Sequence, residues 1–214
     1  MIVLSDTHFG AGDQADDFLC GDAFIGALRH SRRQGERIWI AGDLTEQAQA
    51  ELKEIERAHP RECQAVEDYV EGIVRGNHDG PQDVLCGRPV CDFVVIRGTL
   101  IMHGHQFDPL NYGRWRFIGA AGSKLAGAIE RALGTQADDA IEAWLNRRVL
   151  PGRFGDARGY RRRALRFMRQ VGAERVVIGH THHREARPPC FNCGHWTGPE
   201  AGQRSDAVWL KDSW

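Results

Sequence analysis

Residues of the types that bind divalent metals occur in five short groups. They are Asp6-Thr7-His8, Gly42-Asp43, Gly76-Asn77-His78-Asp79, Met102-His103-Gly104 and Gly179-His180-Thr181-His182. Any one fragment is common by chance, and a lone histidine reads better as a turn or core residue than as a ligand. Five together, each ending an apolar run, point to a metal centre. Hydrolysis at phosphorus asks for this donor set. Two divalent cations about 3.5–4 Å apart can grip both the attacking and the leaving oxygen. One carboxylate must keep the pair together, and imidazole with carboxylate suits manganese, iron, zinc or nickel. The neutral amide of Asn77 limits the negative charge and leaves the centre attractive to phosphate.

The groups need elements to position them. The preceding runs are Ile2-Val3-Leu4, Ile38-Trp39-Ile40, Gly72-Ile73-Val74, Leu100-Ile101-Met102 and Val176-Val177-Ile178. Short β-branched runs bounded by turn residues predict buried strands. Their carboxyl ends are where open α/β sheets bind ligands. Helical spacing predicts helices over residues 16–34, through Phe18, Asp22, Ile25 and Leu28, and over 46–58, through Leu52 and Ile55, with Thr45 as the N-cap of the second. Residues 92–102 predict two short strands around Gly98, which makes the sheet mixed. From 104 to 173 no strand is evident. Apolar residues recur there at helical intervals (Trp115, Ile118, Leu125, Ile129, Leu133; Ile141, Trp144, Leu145, Val149; Leu165, Met168, Val171), broken at Pro151-Gly152 and Gly155. This predicts a helical insertion over about 107–172, set between two ligand loops.

With 214 residues, 42% of them hydrophobic, the chain suits a single domain, 1–214. A net charge of -1 sets up no global field for nucleic acid. No apolar run is long enough to span a membrane. Met1-Ile2-Val3-Leu4 leads straight into Ser5-Asp6, with no room for a signal peptide, so a cytoplasmic location is expected. The six cysteines, at 20, 63, 86, 91, 190 and 193, show no disulfide framework and are expected reduced. Cys190 and Cys193 have CxxC spacing with no second pair, which argues against a zinc or redox site. His30, His59 and His195 are read as structural.

In this order the five groups resemble the motif set of the calcineurin-like metallophosphoesterase superfamily (DxH, GD, GNH[DE], H and GHxH), over Ser5 to His182. The resemblance implies an α/β fold, a four-layer sandwich of two mixed β-sheets flanked by helices. It implies two divalent ions, manganese before iron, zinc or nickel. Asp6, His8, Asp43 and His182 would hold one; Asp43, Asn77, His103 and His180 would hold the other, with Asp43 as bridge. His78 would donate a proton or stabilise charge over the phosphate, Asp79 would orient His78, and a hydroxide would attack phosphorus in line.

Gly42-Asp43-Leu44-Thr45-Glu46-Gln47 lacks the arginine of GDxxDRG, and Asp79 replaces the acid of GNHE; both count against a protein phosphatase. Other segments are similar to the UDP-2,3-diacylglucosamine diphosphatase-like group: His103-Gly104-His105-Gln106-Phe107-Asp108, the aromatics Trp115 and Phe117, Trp144-Leu145-Asn146-Arg147, and Phe191-Asn192-Cys193-Gly194-His195-Trp196. Members of that group act at the inner face of the bacterial inner membrane in lipid A synthesis, and their insertion cups acyl chains. The resemblance therefore implies cleavage of UDP-2,3-diacylglucosamine to UMP and an acylated sugar phosphate, with peripheral membrane contact. Two departures leave the substrate open: His105 where members often carry Asp, and His78 where the best-studied carry Arg. The alternatives are a soluble phosphodiesterase or nucleotidase on the same fold, and a non-catalytic scaffold, which the complete ligand set disfavours. Arginines 147, 148, 153, 158, 161, 162, 163, 166 and 169 face only Asp156. They form either a solvated helix face or an anion patch for a diphosphate or for acidic lipid headgroups, at about 1 kcal/mol per residue near a membrane. His105, His183, Arg161 and Arg162 are the candidate substrate contacts.

Overall fold

The computed structural model describes residues 1–107, 157–197 and 207–210. Most of the expected insertion, including Trp115, Phe117, Ile118, Leu125, Ile129 and Trp144 and arginines 147, 148 and 153, lies outside the described residues.

Two mixed sheets form the centre. The first has the order β11-β1-β2-β3-β5-β4, the second β6-β7-β8-β10-β9. In the first, β1 (Ile2–Leu4), β2 (Ile38–Ile40), β3 (Gly72–Val74) and β5 (Arg88–Cys91) run parallel. They are flanked by antiparallel β11 (Val208–Trp209) and β4 (Val84–Leu85). In the second, β7 (Thr99–Met102), β8 (Arg175–Ile178) and β10 (Cys190–Asn192) are parallel, with β6 (Phe93–Ile96) and β9 (Glu185–Arg187) antiparallel at the edges.

Side chains alternate across a strand, and here both faces are buried, which is why the runs are uninterruptedly apolar. Val3, Ala41, Val74, Ile101 and Val177 meet between the sheets. Ile2, Leu4, Ile38, Ile40 and Ile73 face the other way, against Phe24, Leu28, Ile55 and Val66 of α1 (Gly21–Arg33), α2 (Leu52–Ala58) and α3 (Pro60–Tyr69). Leu100, Met102, Val176 and Ile178 pack against Ala164 and Met168 of α4 (Ala157–Gln170). Among the described residues no helix is long and apolar enough to cross a membrane.

Three sequence expectations are corrected. Helix α1 begins at Gly21, not at 16, because the Asp16 carboxylate winds the preceding loop around itself. It accepts the N–H groups of Gly10, Gly12 and Phe18 at 3.2, 2.8 and 3.1 Å and pairs with His59 Nε2 at 2.7 Å. Thr45 is no helix cap, since its N–H and hydroxyl both donate to Asp79 Oδ1 at 2.9 Å. Glu51 caps α2 instead, through a reciprocal box with Glu54, and a separate helix, α3, opens with Pro60 at its first turn. Cys63 and Cys86 form a disulfide across 4.7 Å between Cα atoms, because α3 lies against the β4–β5 hairpin; Cys20, Cys91, Cys190 and Cys193 form no disulfide among the described residues.

Candidate metal centre

The five groups converge at the carboxyl ends of β1, β2, β3, β7 and β8. To turn each side chain inward, the backbone enters the left-handed region at Asp6 (φ 58°), His8 (49°), Asp43 (51°), His180 (70°) and His182 (54°). An L-residue there costs roughly 1–2 kcal/mol, so the surrounding loops must hold it. They do so through each other. Asp6 N–H donates to Gly42 O, and the Thr7 and His8 N–H groups both donate to Asp43 O, all at 3.0 Å. His180 N–H donates to the Asp6 carboxylate at 3.0 Å, and His78 N–H to Asp43 Oδ1 at 2.9 Å. The motif glycines are required by close approach. A Cβ on Gly42, whose φ is +93°, would stand 2.5 Å from His103 Nδ1. One on Gly76 would overlap Asp43, and one on Gly179 would overlap Ser5 Oγ and the Asp6 carboxylate.

Donor atoms of Asp6, His8 and His182 lie within 4.8 Å of one another, as do those of His8, Asp43 and His78 and those of Asp43, His103 and His180. His182 Nε2 is 3.4 Å from Asp6 Oδ1. His103 Nε2 is 3.0 Å from Asp43 Oδ2 and 3.2 Å from Asn77 Oδ1. Its Nδ1 donates to Ala41 O at 2.8 Å, which fixes the tautomer and turns Nε2 to the centre. His8 is held the same way: Nδ1 contacts Glu46 Oε2 at 2.8 Å, while its buried Nε2 has no hydrogen-bond partner. That nitrogen is 3.7 Å from Asp43 Oδ2 and 3.9 Å from Asp6 Oδ1. Metal–nitrogen and metal–oxygen bonds are about 2.0–2.2 Å, so one cation can join such atoms, and the residues fit the group. Asn77, His78, His180 and His182 are half-buried and form the open side.

The electrostatics match. Burial alone would raise the Asp6 carboxyl, but the His182 hydrogen bond and the charges of His103 and His182 hold it at about 2. Asp43 is lowered well below the usual carboxylate range, against its burial, by His103, His78 and His8. Burial would lower His103, yet the Asp43 carboxylate raises it to about 9.

The expected partner of His78 is corrected. Asp79 does not orient it. Asp79 accepts the N–H groups of Asp43, Thr45 and Gly76 and the Thr45 hydroxyl, each at 2.9 Å, tying two ligand loops together; its burial and the nearby Asp43 raise its carboxyl. Glu46 takes the orienting role. Its Oε1 is 2.7 Å from His78 Nδ1 and its Oε2 is 2.8 Å from His8 Nδ1. Burial works against its ionisation, but the two imidazoles hold it at about 2. The sequence signal was an acid three residues after Asp43.

His105 is half-buried, its ring 5.4 Å from that of His103; burial and then His103 push it down to about 3. His183 is exposed just past the ligand loop. Arg161 is engaged by the fold. It donates to Arg187 O, Cys190 O and Pro188 O at 2.7, 3.1 and 3.2 Å, which clamps the β9–β10 turn to α4. Arg162 is exposed, off the α4 face that buries Tyr160, Ala164 and Met168. Two side chains passed over in the sequence join the site. The His195 ring stacks on His182 at 5.1 Å, which corrects its reading as merely structural, and the buried Tyr160 ring lies 5.5 Å from His180. His59 stays apart, paired with Asp16 and stacked on Phe9. Set against known proteins, the chain matches no family model and no curated protein.

Proposed function

We propose that the chain is a metallophosphoesterase that hydrolyses phosphoester or diphosphate bonds with two divalent cations, manganese first. The observation that carries this is the placement of Asp43, within reach of His8 on one side and of His103 on the other. Asp6, His8, Asp43 and His182 would hold one cation; Asp43, Asn77, His103 and His180 would hold the second. When bound, the cations supply Lewis acidity at phosphorus and an activated water. The protein's own groups do the rest. Ala41 O and Glu46 set the tautomers of His103 and His8, so Nε2 of each faces the centre. Glu46 holds His78 through Nδ1, which leaves Nε2 facing the centre; in the doubly protonated imidazolium, that Nε2–H would hand its proton to the leaving oxygen and return to the lone-pair form.

The test is hydrolysis of bis-p-nitrophenyl phosphate. Activity should vanish with chelator and return with manganese; full activity in the metal-stripped protein would end this reading. As the finer reading, we propose UDP-2,3-diacylglucosamine as substrate, supported by the motif resemblance and by the long insertion between ligands His103 and His180. Each buried methylene should add about 0.8 kcal/mol, so the acylated sugar nucleotide should far outcompete its deacylated form. Equal kcat/KM for the two would leave a soluble phosphodiesterase as the better account.

A further inference from the structure

Within the donor cluster of Asp6, His8 and His182, the three side chains are held to very different degrees. Asp6 is fully buried and His8 is 10% exposed, whereas the His182 side chain is 39% exposed. His182 also sits on a loop, in left-handed backbone (φ 54°). A side chain that open has rotamers to choose from, yet a ligand must aim one nitrogen. Two rings restrict it. The His8 ring meets it edge-on, with centroids 5.4 Å apart, and the His195 ring lies nearly flat against it, at 5.1 Å and 19° between planes.

His195 is itself well placed to do this, because the turn that carries it is anchored on both sides. Before it, Cys193 N–H donates to Ile178 O at 3.0 Å; after it, Trp196 N–H donates to Asp6 O at 2.9 Å. Asn192 Nδ2 reaches Gly179 O at 3.2 Å and Thr181 Oγ1 at 2.8 Å. Its Oδ1 accepts from Gly194 N–H at 3.1 Å, where a φ of +81° suits glycine. The Trp196 side chain is buried, edge-on to Phe24. His195 Nδ1 lies 2.9 Å from Thr197 Oγ1, which sets the rotation of the ring. The turn therefore grips the Asp6 loop by its backbone and His182 by its ring, and both belong to one donor cluster. The other cluster is fixed from elsewhere, by Ala41 O behind His103 and by Tyr160 beside His180.

We propose that His195 is a positioning residue for one cation of the pair: by lying flat on His182 it keeps that ligand aimed at Asp6, and so sets the affinity of the Asp6–His8–His182 site without setting that of the Asp43–His103–His180 site. The proposal rests on the two-cation reading above. Fixing a half-exposed side chain costs rotamer entropy. A ring already fixed by the fold loses less of it when a cation binds. An imidazole that shares its lone pair with a cation is also drained of electron density, which makes a flat π-face beside it a better partner. Both effects need a ring at position 195, and neither needs its nitrogens.

Calorimetric titration of manganese into the metal-free full chain tests this. Wild type should take up two equivalents. His195→Ala should weaken one of them roughly three- to tenfold, the worth of one stacked ring pair, and leave the other unchanged. His195→Phe keeps a ring without the nitrogens and should restore the affinity. His195→Gln keeps polarity without a ring and should match Ala. The metal-free melting temperature is read alongside: a merely structural ring would lower it in Ala and leave both affinities as they were. Both affinities unchanged in Ala, both weakened alike, or Phe no better than Ala each overturns the positioning role. Affinity is read without turnover, so the two readings fail separately. A wild type that binds two equivalents, one of them selectively weakened in Ala, yet hydrolyses no phosphoester would sink the hydrolase reading and leave the role of His195 standing. A wild type that binds no manganese overturns both.

Discussion

Glu46→Gln removes one oxygen and one charge from a carboxylate that serves two imidazoles, at 2.8 Å on His8 Nδ1 and 2.7 Å on His78 Nδ1. Gln keeps a single carbonyl oxygen, so one imidazole retains an acceptor and the other meets an amide N–H₂. That second imidazole must turn its Nδ1 into an acceptor and move its proton to Nε2. On His8 this abolishes the ligand nitrogen; on His78 it changes which atom carries the proton. A charge-assisted hydrogen bond is worth about 1.5–3 kcal/mol, and the surviving one loses its charge assistance. The combined loss is about 2–4 kcal/mol, divided between cation affinity and turnover. Loss of a partner behind a metal-bound histidine costs roughly 10–100-fold in affinity. Manganese affinity by calorimetry should therefore fall about that much, and kcat at saturating manganese should fall about tenfold or more. Far-UV circular dichroism should remain native, because Gln is isosteric. Both values within twofold of wild type would refute the coupling of the two histidines through Glu46.

Further outcomes follow from the same geometry. Asp43→Asn should weaken both cation sites, seen as less than one equivalent of manganese bound, whereas His78→Ala should keep both and lower turnover roughly 10²–10⁴-fold; the reverse pattern would exchange their roles. Gly179→Ala places a Cβ on Ser5 Oγ and the Asp6 carboxylate, so thermal melting should drop and manganese affinity should fall, while Gly26→Ala, inside α1 with nothing near its Cβ, should keep manganese affinity and raise the melting temperature. Asp16 is lowered from its ordinary value: burial opposes this, and the His59 hydrogen bond and charge outweigh it. A carboxyl depressed on folding contributes stability above its unfolded value, near pH 4, and that contribution is lost as pH falls through the folded value. Wild type should lose more stability between pH 5 and pH 3 than Asp16→Asn; parallel pH profiles in urea denaturation would contradict this.

The sequence alone picked out the His/Asp groups that cluster in the structure and the strands beneath them, because both signals are local. An apolar run buried on both faces reads the same wherever it lies, and Asp, Asn or His at its end needs no partner to be noticed. The alternation that splits Val3 from Ile2 and Leu4, and Ile101 from Leu100 and Met102, follows from the two-residue period of a strand. Tertiary structure decided the rest. Whether Asp79 or Glu46 orients His78 depends on how the Gly42 and Gly76 loops cross, and the adjacent acid proved to be the wrong one. The start of α1, the diversion of Thr45 from a cap to Asp79 and the Cys63–Cys86 pairing were each set by a contact with a segment distant along the chain. Tyr160 and His195 entered the site only when α4 and the turn after β10 packed against the His180–His182 loop. Local pattern records burial and backbone period. It does not record which loop meets which, and here those meetings orient the imidazoles, hold five candidate ligand residues in left-handed backbone and commit Arg161 to the β9–β10 turn.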